Sequence, residues 1–178
     1  PAGFVAAEYP RAQAPVALPG RYTARLSVGG QEYERPFEIK RDPRIVATDD
    51  DLRAQFELMV QIRDRLSEVT DAVDRLRTAR QQLETSAPAD ATAASAKEKL
   101  GAIEAALTRL LPAVNPMKLP PKALNNRLAA LTSAVGQADA RPTRQMYAVF
   151  EELSAGVAEQ VRQLDEVIKK ELPALSKQ

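Results

Sequence analysis

From Gly20 the chain alternates. Tyr22, Ala24, Leu26 and Val28 share one side of an extended strand, and Thr23, Arg25 and Ser27 share the other. Gly29-Gly30 follows, the pair that a tight primed turn needs because both central residues want positive φ. A return strand from Gln31 to Lys40 carries Tyr33, Phe37 and Ile39 as its bulky members. Pro36 has no N–H to give to a ladder, so this strand is expected at a sheet edge, or bulged at that residue. Ahead of the hairpin, Pro1, Pro10, Pro15 and Pro19 break any periodicity, and residues 1–19 read as an extended loop.

After residue 47 the period lengthens to that of a helix. Thr48 stands as an N-cap before Asp49, Asp50 and Asp51, acids suited to the positive first turn. Ile62, Leu66, Val69, Val73, Leu76, Arg80 and Leu83 then step by fours and threes, a heptad seam interrupted by one charge. Leu52, Phe56 and Met59 join it upstream, and Ser86-Ala87-Pro88 stops the helix near Thr85. A second helix is expected from Thr92 to Leu111, with Leu100, Ile103, Leu107, Leu110 and Leu111 inward. Gly101 inside it either admits a close neighbour or weakens it. Four prolines between Pro112 and Pro121 exclude a continuous helix there. A third helix is expected from Pro121, with Leu124, Leu128, Leu131 and Val135 inward and Gly136 as C-cap. A fourth is expected from Pro142 to about Leu172, with Met146, Phe150, Leu153, Val157, Val161, Leu164 and Ile168 inward.

At the helical rise per residue these rods measure roughly 55, 30, 24 and 46 Å. Such lengths close as an up-down four-helix bundle with long first and last helices. The alternative is a three-rod bundle whose broken middle rod is helices two and three end to end. The expected fold is therefore mainly α: an extended segment and β-hairpin over 1–47, then a helical bundle over 48–178.

Composition sharpens that boundary. Five of the eight aromatics, four of the seven Gly and six of the thirteen Pro precede residue 48. An isolated two-stranded hairpin is marginal in water. Either it packs on the helices, or its sheet has strands that lie outside this chain. The chain starts at Pro1 rather than Met, and it is expected to be a piece of something longer.

The 178 residues hold 25 Lys+Arg against 24 Asp+Glu, with no His, Cys or Trp. A net charge of +1 argues against a nucleic-acid partner. Arg63, Arg75, Arg77 and Arg80 are interleaved with Asp64, Asp71 and Asp74 and read as a solvated face, not a phosphate-binding stripe. No apolar run reaches the roughly 18 residues of a membrane span. Without Cys there is no disulfide, and without His the commonest metal ligand and acid–base group is gone.

What remains does not converge on chemistry. Asp49 to Asp51 and Glu151-Glu152 are helix neighbours and splay apart. Ser95 and Lys99 have the i,i+4 spacing of a Ser–Lys pair, a spacing common by chance. Neither a nucleophile elbow nor a phosphate-cradling Gly loop occurs. No catalytic, cofactor-binding or metal-ligating residue is assigned, no cofactor is expected, and the residues argue against an enzyme. One amide of Asn125-Asn126 is expected to bond carbonyls of the proline segment, and Tyr147 and Phe150 are expected in core and rim. Asp71–Arg75, Asp165–Lys169 and Glu166–Lys170 have the spacing of exposed helix ion pairs.

The strings PGRYTARLSVGGQEY, from Pro19 to Tyr33, and FEIKRDPR, from Phe37 to Arg44, resemble the last hairpin of an Ig/fibronectin-like sandwich. With LRAQF (Leu52 to Phe56), RDRLSEV (Arg63 to Val69) and LNNRLAAL (Leu124 to Leu131) they resemble the C-terminal end of large bacterial β-propeller proteins. Those proteins carry BNR or sortilin (VPS10)-like repeats and are often labelled glycosyl hydrolases. The resemblance spans about residues 19–172. It implies a secreted or periplasmic protein whose propellers, upstream of this region, hold any site. The expected function is a non-catalytic C-terminal structural or interaction module with a docking or assembly role. Its partner is the upstream β-propeller or Ig-like part of the same protein, or another chain. The alternative is a free-standing helical interaction protein that self-associates through its heptad face; a small-ligand carrier using the bundle interior stands third. Exposed Tyr22, Leu26 and Phe37 would favour the first, and burial of those residues against the chain's own helices would favour a self-sufficient protein.

Overall fold

The computed structural model describes residues 14–86, 91–108 and 123–172. Two antiparallel strands, β1 (Gly20–Val28) and β2 (Gln31–Ile39), precede four helices: α1 (Asp49–Ser86), α2 (Ala91–Thr108), α3 (Leu124–Val135) and α4 (Arg144–Glu166). α4 runs on into one π-helical stretch, Val167–Glu171. The protein is mainly helical, with one hairpin near its N-terminus.

The hairpin follows from its turn. Gly29 (φ 57°) and Gly30 (φ 80°) hold the left-handed conformation that a type I′ turn demands and L side chains resist. The register runs from Val28 opposite Gln31 to Gly20 opposite Ile39 without a bulge. Pro36 faces Thr23 within that register, so the proline sits in an edge strand.

α1 starts as its sequence dictates. Thr48 Oγ1 accepts from the Asp51 N–H (3.2 Å) and Asp51 Oδ2 accepts from the Thr48 N–H (3.0 Å), a reciprocal capping box. The expected seam is buried at Ile62, Val69, Val73, Leu76 and Leu83 and half-buried at Leu66. Leu58, Ala72, Ala79 and Gln55 are buried too. The buried surface of α1 is broader than a heptad stripe because α1 touches α2, α3 and α4. Arg80 stays in the seam because its guanidinium reaches Glu104 of α2.

Leu100, Ile103 and Leu107 of α2, Leu128, Leu131 and Val135 of α3, and Leu153, Val157 and Leu164 of α4 complete one core. Leu124, Met146, Tyr147, Phe150, Val161 and Ile168 pack half-buried against it. Leu110, Leu111 and the proline segment lie outside the described residues.

Several local expectations are corrected. Ala123 is extended (ψ 154°), so α3 begins at Leu124 and not at Pro121. α4 begins after Thr143, whose hydroxyl accepts from the Met146 N–H; Pro142 precedes the cap. Gly136 caps α3 through its N–H to the Thr132 carbonyl, but at φ −84°, outside the left-handed region. Among the described residues a Cβ on Gly101 would meet nothing within 4 Å, so no described neighbour approaches there. The close approach is at Gly156 of α4, where a Cβ would lie 3.0 Å from Leu124 Cδ2. Arg75 pairs with Asp165 of α4 and not with Asp71, because an inter-helix carboxylate faces it. Glu166 takes Arg162 (2.6 Å) as its partner instead of Lys170. Asp165–Lys169 forms as expected (3.1 Å).

Candidate docking surface

Strand pairing sorts the hairpin side chains onto two faces, since residues directly opposite share a face. One face carries Tyr22 with Phe37, Leu26 with Tyr33, Val28 with Gln31, and Ala24 with Arg35. The other carries Arg21 with Glu38, Arg25 with Glu34, Ser27 with Glu32, and Thr23 with Pro36. The second face is laced by charge: Arg25 bonds Glu34 at 2.7 Å and lies 3.9 Å from Glu32. The hairpin is therefore strongly amphipathic.

Its apolar face has no cover among the described residues. Leu26 is 60% exposed, Val28 58%, Tyr33 55% and Phe37 48%. Neither described strand lies along a helix. Tyr22 is half-buried: its ring stacks on Phe37 with centroids 5.8 Å apart, and its hydroxyl donates to the Leu18 carbonyl at 2.7 Å. Four large apolar side chains on one pleated surface form a contiguous patch, the kind of surface that proteins normally cover.

The hairpin meets the helices at its base. There Leu18, Ile39, Ile45, Leu52, Phe56 and Met59 line a cleft of about 210 Å³. Arg41, Asp42 and Gln55 around it are engaged with the protein itself. Arg41 donates to the Ala47 carbonyl (2.9 Å) and to Asp49 (3.4 Å). Arg44 grips Asp42 at 2.6 Å and holds that carboxyl below its ordinary pKa. Gln55 Nε2 donates to the carbonyls of Val135 (2.7 Å) and Ala138 (2.6 Å). These bonds tie the chain after β2 to α1, and α1 to the C-terminal end of α3. They do not converge on the cleft.

The residues weighed for chemistry are dispersed. Asp49 and Asp51 answer Arg41 and Arg141 separately, at 3.4 and 2.7 Å. Hydrogen bonds from Thr48 and Arg141 hold the Asp51 carboxyl down at about 2. Lys99, weighed as partner of Ser95, points its ammonium to Glu171 (2.7 Å), and Ser95 is solvent-exposed. Arg63, Arg75, Arg77 and Arg80 each pair with a carboxylate, on Asp64, Asp165, Asp74 and Glu104. Asn125 Oδ1 is buried with no hydrogen bond among the described residues. The proline segment it was expected to meet lies outside them. Among the described residues, no group of three His, Cys, Asp or Glu could hold a metal ion, and no helix is long and apolar enough to cross a membrane.

Gln55 is the structural residue that sequence reasoning passed over. A lone glutamine between Leu52 and Met59 reads as solvent-facing, and only the path of the α3–α4 connection gives its amide two carbonyls. Comparison with family models, with curated proteins and with solved structures gave no match.

Proposed function

We propose that this chain is a non-catalytic docking module: its hairpin is the trailing edge of an Ig-like sandwich, and its helices form the scaffold that carries it. The observation that carries this reading is the face of Leu26, Val28, Tyr33 and Phe37, uncovered among the described residues, on a hairpin whose other face is polar or charged except at Pro36. Sheets of that pattern bury their apolar side against a second sheet. The Tyr22 hydroxyl bonded to the carbonyl four residues upstream, at the start of a strand, matches the tyrosine corner of such sandwiches. The missing sheet belongs to the upstream part of a larger protein; the resemblance adds a BNR or sortilin-like propeller body and export.

Arg141–Asp51 and Arg75–Asp165 set α4 parallel to α1. Lys99–Glu171 and Arg127–Glu152 set α2 and α3 antiparallel to α4 along its two halves. This arrangement favours the three-rod alternative, with helices two and three as its broken middle rod, over the up-down bundle. Self-association through the heptad face is disfavoured, because Ile62, Val69, Val73, Leu76 and Leu83 are already buried inside the chain.

A triple variant, Leu26→Ser with Tyr33→Ser and Phe37→Ser, tests the docking face. Sedimentation should show less self-association than the parent chain, and the helical unfolding midpoint should not move. A loss of several kcal/mol in helical stability would mean that the face packs on the chain's own helices, and would overturn the proposal. The coding sequence upstream of Pro1 provides a second test. It should encode further β-strands and propeller repeats, and a start codon directly before Pro1 would remove the larger parent.

A further inference from the structure

The cleft at the hairpin base takes a wall from each side. Leu18, Ile39 and Ile45 come from the hairpin and its flanking chain, and Leu52, Phe56 and Met59 come from α1. Its volume of about 210 Å³ suits one six-membered ring with a short tail, since an apolar cavity of about 150 Å³ holds benzene. Apolar walls at a junction, with a few polar groups to set orientation, are the usual form of a small-molecule site. The polar groups with capacity left are acceptors. Gln55 is only 8% exposed, and its Nε2 is spent on the Val135 and Ala138 carbonyls. Its Oε1 has room for two hydrogen bonds and accepts none from the described residues. Buried amides rarely leave that capacity unused. Asp139 lines the same cleft, one residue after the Ala138 carbonyl that Gln55 holds. Its carboxylate has no cationic partner among the described residues. The other charges of the lining are matched: Arg41 with Asp49, Asp42 with Arg44, and Lys40, more distantly, with Glu38 at 3.9 Å.

We infer that this cleft binds a small aromatic amine. The ring fills the apolar space between Ile39, Ile45, Phe56 and Met59. The ammonium has three donors and no acceptor, and it donates to Gln55 Oε1 and to the Asp139 carboxylate. A carboxylic acid of the same size sets negative charge beside Asp139 and an acceptor against the Gln55 acceptor. An alcohol has one O–H and answers one acceptor of the two. This inference goes beyond the docking function and does not rest on it, because the cleft shares no residue with the face of Leu26, Val28, Tyr33 and Phe37.

The full chain, ¹³C-labelled at its isoleucine and methionine methyls, is titrated at neutral pH with phenethylamine, phenethyl alcohol and phenylacetate, and read by NMR. The amine should move the methyl signals of Ile39, Ile45 and Met59 and leave those of Ile103 and Ile168 in place. It should bind roughly tenfold more tightly than phenylacetate, with the alcohol between them. Asp139→Asn, a change at an exposed side chain, should weaken the amine by roughly tenfold and leave the alcohol unchanged. No movement at the three methyls, or movement at Ile103 and Ile168 instead, overturns the site. Equal binding of the three probes, or an amine affinity indifferent to Asp139→Asn, overturns the amine as ligand. Nuclear Overhauser contacts from Phe4 or Tyr9 to those methyls before any probe is added would mean that the chain fills its own cleft, and overturn the site as well.

Discussion

Gln55 joins two parts of the molecule through one side chain. Its amide is buried in α1 and donates to carbonyls at and beyond the end of α3, groups that a helix C-terminus leaves without partners. Gln55→Ala strands both carbonyls and is expected to cost about 1–3 kcal/mol, read as a lower urea midpoint. A change below about 0.5 kcal/mol would show that water satisfies them equally well. Asp51 is the second residue with a definite expectation. Its carboxyl holds at about 2 against an ordinary 3.8, first through the Thr48 side chain, then through Arg141. A lowered pKa stabilises the folded state fully above 3.8, and this contribution disappears as the pH falls from 3.8 towards 2. Unfolding midpoints across that acid range should fall less steeply in Asp51→Asn than in the parent chain. Glu159, likewise held at about 2 by Arg162 and Gln163, accounts for part of the slope that remains.

The helices show how far a local pattern reaches. Thr48 as cap and the seam of α1 follow from residue type and spacing alone, because capping and amphipathicity are short-range. Glycine roles do not. Gly101 has no described neighbour within 4 Å of an added Cβ, so the backbone entropy cost of glycine dominates, and Gly101→Ala should raise stability by about 0.5–1 kcal/mol. Gly156 lies against Leu124, so Gly156→Ala must displace that side chain and should gain about 1 kcal/mol less than Gly101→Ala. Paired urea titrations compare the two, and an equal gain would show that Leu124 yields freely. Ion pairs follow the same division. Asp165–Lys169 lies within one helix and is legible from spacing, whereas Arg75–Asp165 and Arg80–Glu104 depend on which helices become neighbours.

For the whole molecule, the core and the candidate docking face are separate. The helices bury Leu58, Ile62, Leu76, Leu100, Leu107, Leu128, Leu153 and Leu164 among themselves, while the hairpin leaves its large apolar side chains outside. A chain of residues 48–178 is therefore expected to unfold cooperatively on its own. Its thermal midpoint by circular dichroism should lie within about 5 °C of the full chain, because only the cleft around Leu52, Phe56 and Met59 loses its lid. Loss of cooperative unfolding would mean that the hairpin is part of the helical core. From its sequence alone this protein was bound to form one glycine-turned hairpin followed by amphipathic helices, since turn geometry, capping and hydrophobic period act over a few residues. Tertiary structure decided which helices meet, which glycine needs to be small, where Gln55 finds its carbonyls, and that the hairpin's aromatic face stays uncovered among the described residues. Those outcomes depend on contacts between residues far apart in the chain, and no local pattern encodes them.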